Sequence, residues 1–429
     1  MKFYSTNNKS LKVDLKQAVL QGLAADGGLY LPEQIPVLPH HVIKNIHSYS
    51  NQSIAYEIAK LWLSPDVPDE DIKRVVASTV FFDVPQVEIE ERIFALELFH
   101  GPTLAFKDFG ARFMASLLGF FSRESSREIT VLVATSGDTG SAVAHGFHKV
   151  EGVRVLVLYP SGKVSEIQEK QFTTLGDNIT ALEIDGTFDD CQRLVKSAFN
   201  DSVLKSHLVM TSANSINMAR LIPQSFYYFF AASKLSKDAG LVFSVPSGNF
   251  GNLTGGVLAS KMGLPIDHFV AATNRNDVVP QYLSAGVFNP KASITTISNA
   301  MDVGNPSNFA RLLDLFNNDH SAMAKFIHGY AFTDKQTRDA IQHVSQSKGY
   351  IMDPHGAIGY LGLKADNVDR NKVGIFLETA HPAKFKEVVE DILHRPIAIP
   401  DKLKELLNKE KLSIKLSKEF DDLKEFLLR

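Results

Sequence analysis

From about residue 129 onward, short β-rich runs alternate with helical segments: Ile129–Ala134, Arg154–Tyr159, Ile179–Ile184, Leu241–Val245, His268–Ala272 and Val373–Leu377. That alternation predicts an α/β fold, an open and mostly parallel sheet covered by helices. Most of the runs end in turns rich in Gly, Ser, Thr or Asn, and open α/β sheets bind their ligands at the carboxyl ends of the strands. A chain of 429 residues exceeds what one core usually organises, so two or three domains are expected. Residues 1–80 read as mixed helix and loop, with a helical pattern around Ser53–Leu63. The stretch Asp401–Arg429 is rich in Lys, Glu and Leu and reads as helix with a solvated charged face.

Several function classes are disfavoured. With a net charge of -3 and no block of Lys or Arg, the chain lacks the electrostatic footprint of a nucleic-acid binder. Its single cysteine, Cys191, rules out an intramolecular disulfide framework and a cysteine-based zinc site, and suits a reducing compartment. The N-terminus shows no apolar signal core, and the longest apolar run, Phe226–Ala232, is too short to cross a bilayer. A cytoplasmic protein with no membrane association is expected.

Three turns carry chemistry. Pro246 to Gly256 (PSGNFGNLTGG) follows a strand and leads into a helix, where loop amides and the helix dipole can cradle a phosphate without a cation. A purely structural βα turn accounts for the same glycines equally well. Ala134 to Ser141 (ATSGDTGS) offers hydroxyls, amides and a carboxylate together, although a helix cap explains it too. Leu98 to Phe109 (LFHGPTLAFKDF) sets Lys107 among Phe106, Phe109 and Phe113; desolvation there would lower the amine's pKa and make it a nucleophile for an aldehyde. A lone lysine is usually a solvated surface group, so Lys107 stands out only beside the other two turns.

In order along the chain, HGPTLAFKD, ATSGDTGSAVAH, SANSINMAR, PSGNFGN, SNAMDV and ETAHPAKF resemble the threonine synthase family, within the tryptophan-synthase-β-like, fold type II group of pyridoxal-phosphate enzymes. The N-terminal QGLAADGGLYLP is similar to the cap of the bacterial and fungal kind. The resemblance implies a cap over 1–82, a cofactor-binding core over 83–395 with a movable part at roughly 130–235, and a C-terminal helical extension over 396–429. It implies the conversion of O-phospho-L-homoserine and water to L-threonine and phosphate, on pyridoxal 5'-phosphate carried by Lys107 as a Schiff base, with no metal.

By the same resemblance, Gly248, Asn249, Phe250, Gly251 and Asn252 hold the cofactor phosphate through backbone amides, and Thr379 addresses its ring nitrogen. Thr135, Ser136, Thr139, Asn214 and Arg220 match positions that grip the substrate and its phosphate, Arg220 as the obligate cation. Asp138 stands where the wider group often has an asparagine donating to the cofactor's phenolic oxygen. It is expected either to stay protonated and donate, or to turn away and cap the helix beginning near Gly140; the cap is favoured because it needs no pKa shift. A monomer or weak homodimer is expected. The competing expectations are another reaction on the same scaffold, such as serine or threonine dehydration, and a non-catalytic ligand-binding relative. The cation at Arg220 argues against the first, and the retained Lys107 against the second.

Overall fold

The computed structural model describes residues 1–123, 127–236 and 239–429. Its strands in chain order are β1 (Lys2–Ser5), β2 (Lys12–Asp14), β3 (Tyr30–Pro32), β4 (Gln86–Glu90), β5 (Ile93–Glu97), β6 (Ile129–Ala134) and β7 (Val153–Pro160). They continue as β8 (Ile179–Ile184), β9 (Val209–Ser212), β10 (Gly240–Pro246), β11 (His268–Thr273), β12 (Ile327–Ala331), β13 (Lys372–Glu378) and β14 (Ser413–Leu416). Three sheets result. β2-β1-β3 is antiparallel, β14-β8-β7-β6-β9 is parallel throughout, and β12-β11-β10-β13-β5-β4 is parallel except for its β4-β5 edge.

The six runs read from sequence all appear, lengthened by at most a residue at either end. Their side chains explain why: β6, for example, is Ile-Thr-Val-Leu-Val-Ala with every residue buried, as a strand covered by helices on both faces must be. The N-terminal region departs from the helix-and-loop reading, because β1 to β3 form a small sheet there. These strands have only three or four residues each, too short for a period to register. The C-terminal stretch is also not simply helical: β14 lies between the helices Asp401–Leu407 and Phe420–Leu428 and adds an edge strand to the second sheet.

That C-terminal segment ties the parts together. Leu403 and Leu406 pack with Leu104 and Ala383, while Leu423 and Leu427 pack with Cys191 and Leu194. The N-terminal sheet is anchored differently. Arg311, fully buried, donates from Nε to the Tyr30 carbonyl at 3.0 Å and from Nη1 to Asn308 Oδ1 at 2.7 Å. Asn217 Nδ2 reaches the Val19 carbonyl at 2.9 Å, so the segment after β9 bears on the N-terminal unit.

Candidate active site

The turns after β5, β6, β9, β10 and β13 meet at the carboxyl ends of the two larger sheets. After β5 the chain bends through His100–Phe106 into the helix Lys107–Ser122. The bend wraps around Asp108, whose carboxylate accepts from Thr103 N at 2.9 Å and from Thr103 Oγ1 at 2.7 Å. Burial pushes the Asp108 carboxyl up to about 6 against those hydrogen bonds, which pull it down. Leu104 takes a left-handed φ of 57° in this bend, and Phe106 N donates to the Thr379 carbonyl at 2.8 Å. The loop is thereby fixed at both ends, and Lys107 is delivered as the first residue of its helix. Burial lowers its pKa, with Lys384 and Arg220 adding repulsion, and the positive end of the helix acts in the same direction.

Lys107 Nζ lies 3.5 Å from Asp138 Oδ2. The helix Asp138–Phe147 begins on Asp138 itself, its N-cap is Gly137, and no side chain of the cap residue bonds it. The expected capping role of Asp138 is therefore not found. Thr135 does the capping instead, its Oγ1 accepting from Gly137 N at 2.9 Å and Gly140 N at 2.8 Å. Asp138 turns inward, where Lys384 Nζ stands 2.7 Å from its Oδ1 and Gln168 Nε2 donates to the same oxygen at 2.8 Å. Burial alone would raise the pKa of this carboxyl, but Lys384 and Lys107 outweigh it and hold the group ionised, well below the usual carboxylate range.

Lys384 lies in ETAHPAKF, and the family resemblance assigns it no role. Its ammonium is fully buried and bonds the Thr103 carbonyl at 2.8 Å as well as Asp138, so it links three turns at once. Gln171 Nε2 reaches the same carbonyl at 3.0 Å. The only local signal was a lysine enclosed by apolar neighbours in HPAKF.

After β10, the amides of Gly248, Asn249, Phe250, Gly251 and Asn252 have no acceptor among the described residues. These five consecutive donors sit at the start of the helix Gly251–Lys261, with Phe250 at φ 59° and ψ 16° turning the chain into it. A Cβ on Gly248 would come within 2.7 Å of Met301 Cα, so glycine is required by close packing there. The side chains of the loop have other work: Asn252 Nδ2 holds the Pro246 carbonyl at 2.8 Å, and Asn249 joins Ser215 and the Ser307 amide. Free amides at a helix N-terminus fit a phosphate, and no cationic side chain is needed. Thr379, directly after β13, is buried and keeps its hydroxyl unpartnered among the described residues.

Of the positions assigned to the substrate, Thr135 is buried and its hydroxyl is fully used in the turn. Ser136 is exposed and Thr139 and Asn214 are half-buried, each with a polar group left available. Arg220 lies in the short helix Met218–Leu221, packed against Gly110, and donates from Nη1 to the Ala213 carbonyl. Its buried Nε has no partner, and no carboxylate stands within ion-pair distance among the described residues. Burial lowers its pKa to about 10, which leaves it charged at neutral pH. A buried, unpaired guanidinium is unfavourable unless an anion visits it.

The family model for pyridoxal-phosphate-dependent enzymes matches residues 72–378. Models for the threonine synthase N terminus and C-terminal part match residues 2–80 and 357–427. A threonine synthase of Haemophilus influenzae is 45% identical over 431 residues, covering 100% of both chains. The crystal structure of threonine synthase from Escherichia coli superposes with a TM-score of 0.93 at 42% identity, covering 100% of this chain and 99% of that one. The cofactor-bound threonine synthase from Brucella melitensis gives 0.93 at 34% identity, covering 100% and 98%.

Proposed function

We infer how the site works from one premise: the chain belongs to the threonine synthase family of pyridoxal-phosphate-dependent enzymes. It converts O-phospho-L-homoserine and water to L-threonine and phosphate, with pyridoxal 5'-phosphate as cofactor. The assignment of roles to residues is our reading. Lys107 Nζ holds the cofactor covalently, the five amides from Gly248 to Asn252 take its phosphate, and the Thr379 hydroxyl meets its ring nitrogen. When bound, the cofactor supplies the electron sink that lets protons leave the substrate's α and β carbons.

Once displaced from its covalent bond by the substrate amine, the Lys107 amine moves those protons. Desolvation and the helix dipole keep it from retaining a proton too firmly, and Asp138 beside it stabilises the charged form when it takes one. Asp138 can do so because Lys384 keeps it anionic. The observation that carries the phosphorylated-substrate reading is Arg220, a buried cation without a carboxylate partner among the described residues. With Ser136, Thr139 and Asn214 it would stabilise the charge that grows on phosphate as the γ C–O bond breaks. Water must then be admitted late. We assign that control to the part at roughly 130–235, which carries the 135–141 turn and closes over the substrate.

The reading is tested by supplying O-phospho-L-homoserine and following phosphate and amino acid together. Equal amounts of phosphate and L-threonine are expected; phosphate accompanied by a keto acid would mean elimination without net hydration. In the same assay Arg220→Ala should lower kcat/KM at least ~10-fold, the loss of a charge-assisted contact, with the cofactor's absorption unchanged. A monomer or weak homodimer is also proposed, as is work in the cytoplasm, the latter supported by the one free, buried cysteine. Sedimentation velocity and cell fractionation check these two points.

A further inference from the structure

At the amino ends of the large sheet's strands, away from the site just described, two imidazoles share one carboxylate. His268 opens β11, His328 lies in the neighbouring β12, and Asp366 ends the helix Pro354–Asp366 that packs on this sheet. His268 Nε2 stands 2.7 Å from Asp366 Oδ2, and His328 Nδ1 stands 2.6 Å from Asp366 Oδ1. The ring centroids lie 4.4 Å apart with the planes tilted by 30°, and the three donor atoms lie within 4.8 Å of one another. Tyr330 adds a hydroxyl 3.3 Å from Asp366 Oδ1.

We propose that His268, His328 and Asp366 form a binding site for one divalent transition-metal ion of the zinc class. Two imidazole nitrogens and one carboxylate oxygen are the donor set such an ion prefers. Tetrahedral coordination with bonds of about 2.0–2.2 Å puts neighbouring ligand atoms roughly 3.3 Å apart, which small side-chain rotations reach from the spacing observed. Without the ion each imidazole can donate a ring N–H to the carboxylate. In its other neutral tautomer it turns that nitrogen's lone pair to the ion, so no proton need be gained or lost. The Asp366 side chain is 3% exposed and sits where the helix carbonyls present negative charge, both of which favour a cation over bulk water. His328 is 38% exposed, so a water can complete the coordination. The ion would tie β11, β12 and the helix Pro354–Asp366 together, in a structural role.

The test is equilibrium dialysis of the holoenzyme against zinc, with metal analysis, alongside His268→Gln and His328→Asn. Each variant places an amide nitrogen near the replaced ring nitrogen, so a hydrogen bond to Asp366 can persist while the lone pair is lost. Wild-type enzyme should hold one zinc per chain, each variant should bind it at least ~10-fold more weakly, and zinc should raise the melting temperature of the wild type alone. Zinc binding equal in wild type and variants would place the ion elsewhere, on other histidines or the cofactor. No zinc held by the wild type at millimolar free metal would also overturn the proposal. Either variant decides by itself if the other fails to fold.

Discussion

At the scale of single residues, the buried ion pair of Lys384 with Asp138 joins groups 246 residues apart in sequence and 2.7 Å apart in space. Removing one member of such a pair strands the other charge. Lys384→Met is therefore expected to cost about 3–5 kcal/mol in urea unfolding, and Lys384→Met with Asp138→Asn should cost less than the sum of the two single changes. Strict additivity would show that the two groups do not sense each other. The pH dependence follows in sign: the folded-state pKa of Asp138 is depressed, so its stabilisation is complete above the ordinary value of 3.8 and is lost as pH falls below it. Asp138→Asn should flatten that acid limb, seen by following unfolding midpoints downward from pH 5. An acid limb as steep as that of the wild type would assign acid sensitivity to other carboxylates.

At the scale of elements, the phosphate cup is a matter of backbone. Five amides can point into one space only because Phe250 adopts a left-handed conformation and Gly248 lets the loop press on Met301. Gly248→Ala would push a methyl group to 2.7 Å from Met301 Cα and 3.0 Å from the Ala300 carbonyl, two backbone atoms that cannot swing aside. Displacing the loop should weaken cofactor binding at least ~10-fold, the cost of about one lost charge-assisted hydrogen bond, as read by titrating stripped enzyme with cofactor. An affinity within about twofold of wild type would mean that these amides do not carry the phosphate.

At the scale of the whole molecule, the C-terminal segment decides whether the all-parallel sheet is complete. β14 covers the edge of β8, Lys411 bridges Glu169 at 2.6 Å and Glu183 at 2.8 Å, and Leu423 and Leu427 close the core around Cys191. A chain ended after Asn408 loses these contacts but keeps the residues of the cup. Losing two buried leucines alone is worth about 2–5 kcal/mol each, so a lower melting temperature is expected, with new protease cleavage between residues 179 and 207. Unchanged melting and cleavage would show that the segment is dispensable to this sheet.

The same contacts show what was legible beforehand. β6, β8 and β10 are mostly apolar and almost entirely buried because helices cover both faces, and that burial is written locally. The glycine-rich turn after β10 and Lys107 in its aromatic setting were readable for the same reason: their chemistry depends on neighbours in the chain. Only the tertiary structure decided which charges meet. Asp138 looked like a cap because nothing within a few residues of it is cationic, and its partner Lys384 arrives from the turn after β13. The leucines of the last helix announced an apolar face but not the core it would cover, and β14 is four residues long with its alternation lost among lysines. Periodicity and turn chemistry are fixed by atoms close in sequence. Ion pairs, edge strands and the two histidines that share Asp366 depend on closing long loops, and no local pattern records which ends will meet.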